Sequence, residues 1–279
     1  MGRGRIRVGI GGWTFAPWRG AFFPPGLPHA RELAYVAARL SAIEINGIYY
    51  RTQKRESFAA WAEAVPDDFV FAVKASRFCT NRRVLADAGE SVEKFLGQGL
   101  AELGPKLGPI LWQFMPSKAF DPDDFGAFLK LLPARQEGVK LRHALEVRHE
   151  SFRDPAFAAM ARKAGAAIVF ADSPVHPQFA DVTADFVYAR LQDAREAEPC
   201  GYDEAALDRW AAVARCWAEG GRPAGFAAID DAPPPATPRD VFLFMINGAK
   251  VRAPAAAMAL TARLSAEAND GYRCSEKAG

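Results

Sequence analysis

Apolar runs of strand length recur eight times along this chain, and a segment with helical spacing separates most of them. The runs are Ile6 to Ile10, Ala42 to Ile45, Phe69 to Val73, Ile110 to Trp112, Ala144 to Val147, Ala167 to Ala171, Phe186 to Ala189 and Val241 to Ile246. Helical periods cover Arg31 to Leu40, Glu56 to Val65, Ser91 to Leu103, Pro122 to Leu132, Pro155 to Ala164, Tyr202 to Ala218 and Pro254 to Leu264. Alternation of this kind predicts an α/β protein with a parallel sheet. Eight repeats in 279 residues favour closure into a single (β/α)8 TIM-type barrel over an open doubly wound sheet.

Local chemistry supports several boundaries. Asp121-Pro122 and Asp154-Pro155 each set an N-cap carboxylate before a Pro at the first helical position, and Gly165 stands where a left-handed helix end is expected. Two irregularities are expected. Asp172 to Asp185 lacks a helical period, so the sixth helix is missing or vestigial, and the Pro-rich stretch Gly220 to Asp240 reads as a mobile surface excursion before the eighth strand. No break in composition divides the chain, so one domain is expected over 1–279, with 265–279 as a tail.

Composition excludes several classes. With 50% hydrophobic and 24% charged residues the chain is not disordered, and a net charge of +2 gives no overall basic field, so anion binding must come from local clusters. Cys79, Cys200, Cys216 and Cys274 are far apart and form no C-x-x-C pair, which suggests neither structural zinc nor a disulfide framework but reduced thiols. Without a signal-peptide core or an apolar run of membrane-spanning length, a cytoplasmic protein with no membrane partner is expected.

The polar residues carry the functional argument. Glu44 and Asn46 follow the second strand, Lys74 the third, Gln113 the fourth, Glu146 and Arg148 the fifth, Asp172 the sixth, Tyr188 and Arg190 the seventh and Asn247 the eighth. The C-terminal ends of parallel barrel strands meet on one rim, where active sites are built. Alternation puts Glu44 and Asn46 opposite Ile43 and Ile45, and Tyr188 and Arg190 opposite Val187 and Ala189, so the polar faces point inward. A strand-end ion pair such as Glu146 with Arg148 is a common structural device. A purely structural role is hard to sustain for the whole set, because each buried polar group without a partner costs ~1 to 3 kcal/mol. Gly9-Ile-Gly-Gly-Trp-Thr-Phe15 lets the backbone approach closely and offers Trp13 as a pocket wall, but its glycine spacing is not a dinucleotide fingerprint.

Gly11-Gly-Trp-Thr-Phe-Ala-Pro-Trp-Arg-Gly-Ala-Phe-Phe-Pro24, Glu44-Ile-Asn-Gly-Ile-Tyr-Tyr-Arg51, Phe71-Ala-Val-Lys-Ala75, Trp112-Gln-Phe-Met-Pro116 and Glu146-Val-Arg-His-Glu-Ser-Phe152 together resemble the YecE-like family, the domain of unknown function 72. The resemblance runs from about residue 6 to 264. It implies a TIM barrel and carries no activity. The positions it covers are Trp13, Glu44, Asn46, Tyr49, Lys74, Gln113, Glu146, Arg148, His149, Asp172, Tyr188 and Arg190. The chain departs from the family pattern at Thr80-Asn81, at Arg190-Leu-Gln-Asp193 and at Ile246-Asn247; the first two lose a histidine.

Three chemistries compete. In the first, an enzyme takes an anionic small molecule bearing phosphate or carboxylate. Lys74, Arg148 and Arg190 form the clamp, Glu44, Glu146, His149 and Asp172 serve as acid and base, with Lys74 also counted among the catalytic residues, and Trp13, Asn46, Tyr49, Gln113, Tyr188 and Asn247 shape the pocket. The second is a nucleic-acid-binding or nuclease-like barrel, motivated by Lys74, Arg77, Arg82 and Arg83 with Phe78 among them. The third is a divalent metal held by Glu44, Glu146, Asp172 and His149, against which stand the neutralising cations and the absence of paired-His spacing. No cofactor is otherwise expected, and oligomeric state cannot be read. His29, His143 and His176 are read as structural.

Overall fold

The computed structural model describes residues 3–230, 232–246 and 248–266. Its strands are β1 (Ile6–Gly11), β2 (Ala42–Ile45), β3 (Val70–Lys74), β4 (Leu107–Gln113), β5 (His143–Glu146), β6 (Ala167–Ile168 continuing as Phe170–Asp172), β7 (Phe186–Leu191) and β8 (Asp240–Met245). All pair in parallel with their sequence neighbours, and β8 returns to β1. The ring closes through β6, whose first half pairs β5 and whose second half pairs β7. A right-twisted parallel sheet covered by crossover helices closes in this way, and the (β/α)8 barrel expected from the alternation is the fold observed.

At the break in β6 a side chain from the following connection fills the ladder. Thr183 Oγ1 accepts from Ile168 N at 3.0 Å and donates to Ala166 O at 2.6 Å, standing in for a ladder partner. Thr183 belongs to the connection from β6 to β7, which contains no helix, as its lack of helical period predicted. The helices of six or more residues are α1 (Glu32–Ala37), α2 (Arg55–Glu63), α3 (Gly89–Leu96), α4 (Pro122–Lys130), α5 (Pro155–Ala164), α6 (Glu204–Ala218) and α7 (Ala253–Ser265), and a single helical turn spans Arg77–Thr80. Asp121 and Asp154 cap α4 and α5 through their side chains, and Gly165 closes α5 at φ 63°.

Two apolar layers follow from the strand alternation. The outer layer packs strands against helices, while an inner cluster that includes Ala42, Val70, Ala72, Leu111, Ala144, Phe242 and Phe244 fills the barrel. Small residues on β2, β3 and β5 face large rings on β7 and β8. At Gly9 a Cβ would lie 2.3 Å from the Ala42 carbonyl oxygen and 2.9 Å from the Phe244 ring, so β1 must offer glycine there.

The Pro-rich excursion is tied to the barrel by several hydrogen bonds along its described residues. Asp181 accepts from Ile229 N and Asp230 N, Arg162 makes two bonds of 2.8 Å to Asp230, and Arg239 donates to the carbonyls of Gly220 and Pro235. The expectation of four reduced thiols needs correction. Cys79 and Cys200 are free, but Cys216 is disulfide-bonded. Proximity of thiols is set by the fold, and separation along the sequence does not report it. No described helix is long and apolar enough to cross a membrane.

Candidate active site at the barrel mouth

At the C-terminal end of the barrel the inward faces carry charge above the apolar plug. Glu44, Glu146 and Arg190 are almost fully excluded from solvent. Arg190 donates through Nε and Nη2 to the two oxygens of Glu44, each at 3.0 Å, and through Nη1 to Glu146 Oε2 at 2.6 Å. The Tyr188 hydroxyl donates to Glu44 at 2.7 Å and Gln113 Nε2 to Glu146 at 2.8 Å. Arg148 completes the network with bonds of 2.9 and 2.7 Å to Glu146 Oε1. Burial alone would raise the Glu146 carboxyl, but Arg190, Arg148 and the Gln113 hydrogen bond override it and leave the pKa at about 2.

The expected role of Glu44 and Glu146 as acid and base does not fit this geometry. Glu146 is held charged by two guanidinium groups, which makes it a poor proton carrier, and both oxygens of Glu44 already accept from Arg190, one of them from Tyr188 as well. The expected clamp also loses Arg190, all of whose nitrogens are engaged.

Lys74 is different. It ends β3 on the inner face, its Nζ lies 4.0 Å above the Tyr49 ring, and it makes no hydrogen bond or ion pair among the described residues. Burial is the main reason its pKa falls to about 8; Arg190 and Arg148 lower it further, while Glu44 and Glu146 pull the other way. The two Glu charges are offset by Arg148 and Arg190, so Lys74 leaves the mouth with one net positive charge.

Four described side-chain atoms are buried without a hydrogen-bond partner: Asn46 Oδ1, Thr80 Oγ1, Gln192 Nε2 and, on α6, Trp210 Nε1; Asn46 and Gln192 directly follow the ends of β2 and β7 on this rim. Asn46 shares the Glu44 face and Gln192 the Arg190 face. Gln192 is 7% exposed, and sequence reading noted it only as a departure from a family histidine. His176 was also missed. It lies on the connection after β6, and its pKa is lowered by burial first and then by Arg148 and Arg190, against the pull of Glu146, which puts its ring within electrostatic reach of the network. Flanking prolines gave no hint of it.

Other expected members lie elsewhere. His149 has the opposite pleat phase to Arg148; its Nδ1 pairs with Ser151 Oγ at 2.8 Å and caps a short 3-10 turn. Asp172 follows the outward phase of Ile168 and Phe170, because Ala167 and Val169 are the inward residues of β6. Burial, with help from Asp193, raises its pKa to about 6, against the pull of Arg209 and the Tyr202 hydroxyl. Trp13 packs edge-on against Trp61 of α2 and the outward Phe71, at 5.2 and 6.5 Å, and walls the helix layer. Asn247 lies outside the described residues. No group of three or more His, Cys, Asp or Glu among the described residues is placed to hold a metal, so the proposed set of Glu44, Glu146, Asp172 and His149 is not assembled. Of the histidines read as structural, His143 is a satisfied core residue, accepting from Trp112 Nε1 at 3.0 Å and bonding Pro133 O at 2.9 Å.

A cavity of about 970 Å³ opens at the opposite end, lined by Arg135, Lys140, Arg142, Arg162 and Arg239. Arg142 lies 4.6 Å from the Phe242 ring and closes the barrel floor. In barrels of this fold, side chains on that face usually serve stability, while active sites are built at the opposite rim.

The profile of the family described as "Protein of unknown function DUF72" matches residues 7–277. The chain belongs to the DUF72 family. Among solved structures, a DUF72 family protein from Thermotoga maritima is similar at 21% identity and a TM-score of 0.71, covering 94% of this chain and all of that one. A DUF72 family protein from Enterococcus faecalis follows at 18% identity and 0.69, covering 95% and 97%. The protein named SacUVDE shares the fold at 7% identity and 0.51, covering 93% and 98%. No curated protein matches this DUF72 chain.

Proposed function

We propose that this DUF72 protein is an enzyme that takes an anionic small molecule, bearing phosphate or carboxylate, into the barrel mouth. The observation that carries the reading is Lys74, a largely buried ammonium that makes no ion pair among the described residues and lies within electrostatic reach of Arg148 and Arg190 on the strand ends. Buried polar groups are almost always partnered, so a buried ammonium without one, with orphaned Asn46 Oδ1 and Gln192 Nε2 at the ends of other strands of the same rim, is suited to a ligand. Arg148 adds its free Nη1, and Asn46 and Gln192 offer one acceptor and one donor. Glu44, Glu146, Arg190 and Tyr188 form the rigid base that orients Arg148 and repels alternative poses. His176 supplies proton transfer in place of His149. Isothermal titration with inorganic phosphate tests this: wild type binds, and Lys74→Ala binds at least about tenfold more weakly, the worth of one charge-assisted hydrogen bond. Equal affinity for the two proteins refutes the reading.

A second reading is favoured by the rim itself. Tyr50, Phe78, Val84, Met115 and Val175 are exposed large apolar side chains on connections after strands, and the Arg77 guanidinium lies over both Tyr50 and Phe78 at 5.6 and 5.2 Å. Aromatics interleaved with Arg77, Arg82 and Arg83 suit stacked bases and a phosphate backbone. Titrating labelled single-stranded DNA and RNA at two salt concentrations decides it, since absence of affinity at low salt ends this alternative.

A further inference from the structure

Lys74 has the setting of a nucleophile rather than of a simple anion clamp. A clamp lysine is held by the groups around it, whereas here the two carboxylates in reach are already occupied. Glu44 is filled by Arg190 and Tyr188, and Glu146 by Arg190, Arg148 and Gln113. Neither pairs with the ammonium within 4.0 Å among the described residues, and the contact of Nζ is the face of Tyr49. Arg190 and Arg148, the cations that face it from β7 and β5, oppose its protonation, as does its burial.

We propose that Lys74 attacks the carbonyl carbon of an anionic aldehyde or ketone bound in the mouth and forms an imine. The inference rests on the anion-binding reading of the same site and specifies its substrate class. In the step, the Nζ lone pair forms a C–N bond as the C=O π bond breaks, giving a carbinolamine after a proton moves from nitrogen to oxygen. Loss of that hydroxyl with one proton, as water, yields the imine, so no oxidant or reductant is required. His176, within electrostatic reach of Arg148, Glu146 and Arg190, carries the proton in this step. Arg148 Nη1 is the donor for the anionic group, because its other nitrogens are committed to Glu146.

The setting also answers the main objection to a lysine nucleophile, that ammonium is not nucleophilic. With a pKa of about 8, about one Lys74 in ten is neutral at pH 7, against fewer than about one in a thousand for an exposed lysine.

Borohydride trapping tests the proposal. The full chain is incubated at pH 7 with glyoxylate, with glycolaldehyde phosphate or with neutral glycolaldehyde, reduced, digested and read by mass spectrometry. Expected is a stable adduct on Lys74, heavier by the probe less one oxygen, formed from at least one anionic probe, faster than from the neutral one, and faster as pH rises toward 8. Inorganic phosphate should suppress it, and Lys74→Arg, checked for an unchanged melting temperature, should leave only the background labelling of surface lysines. If phosphate binds wild type with Lys74-dependent affinity but no anionic probe labels Lys74 above that background, imine formation is wrong and the anion site stands. If neither binding nor labelling occurs, both are wrong.

Discussion

Replacing Glu146 with Gln should remove a large share of the stability of this protein. The carboxylate accepts four hydrogen bonds, two from Arg148, one from Arg190 and one from Gln113, and it is 1% exposed. A neutral amide of the same shape offers one acceptor oxygen and turns an NH2 group toward guanidinium donors, leaving Glu44 as the carboxylate for two cations. Breaking a buried pair from one side costs ~3–5 kcal/mol, because the partner charge stays buried. The carboxyl itself gives a second figure: a fall from the ordinary 4.5 to about 2 corresponds to about 3 kcal/mol. At roughly 2–4 °C per kcal/mol for a domain of this size, the melting temperature should drop by on the order of 10 °C. Urea unfolding and calorimetry on both proteins measure it. The pH profile adds a sign. A depressed carboxyl contributes stability above 4.5 that is lost as pH falls toward about 2, so wild type should show that loss and Glu146→Gln should not. A variant within about 1 kcal/mol of wild type at pH 7 would refute the claim that this network is tightly coupled.

Lys74→Met should behave oppositely and stabilise the protein at pH 7. The lysine is held at about 8 against an ordinary 10.5, so the unfolded chain binds more protons between those values; the gain should shrink as pH rises toward 10.5, and a destabilised variant at pH 7 would contradict the assignment. Asp172→Asn should also stabilise at pH 7. Its carboxyl is raised to about 6, so the favourable contribution of the acid, complete below 3.8, is lost as pH rises through 6; thermal melts at pH 3.5 and 7 should show a gain at the higher pH alone.

The fold was legible because a parallel barrel has one dominant sequence signal. Strands β1 to β8 fall on the eight apolar runs, with ends shifted by a few residues, as at β4, where Leu107–Gln113 extends well before the run that begins at Ile110. Capping chemistry marked α4 and α5 because Asp, Pro and Gly act on their own backbone. What could not be read is how the sixth strand breaks, since Thr183 reaches it across the fold. At the site, inward and outward phase was correct wherever a strand ran unbroken, for Glu44, Lys74, Glu146, Tyr188 and Arg190. It failed where the strand was interrupted, at Asp172, or had ended, at His149. Sequence also shows which charges meet but not how many donors each receives, so Glu44 and Glu146 looked like acid and base until the bonds from Arg190 and Arg148 were seen to saturate them. Gln192 and His176 stayed hidden because a glutamine in place of a histidine and a histidine between prolines carry no periodic signal.

The central claim is that Lys74 stands unpaired and partly neutral in the mouth, ready for an anion. Lysine-selective isotope labelling and an NMR pH titration of the Lys74 side chain, with and without inorganic phosphate, measure this directly. The account predicts an inflection near 8 that moves upward when phosphate binds, because an anion favours the charged amine. An inflection at the ordinary value of about 10.4, unmoved by phosphate, would contradict it.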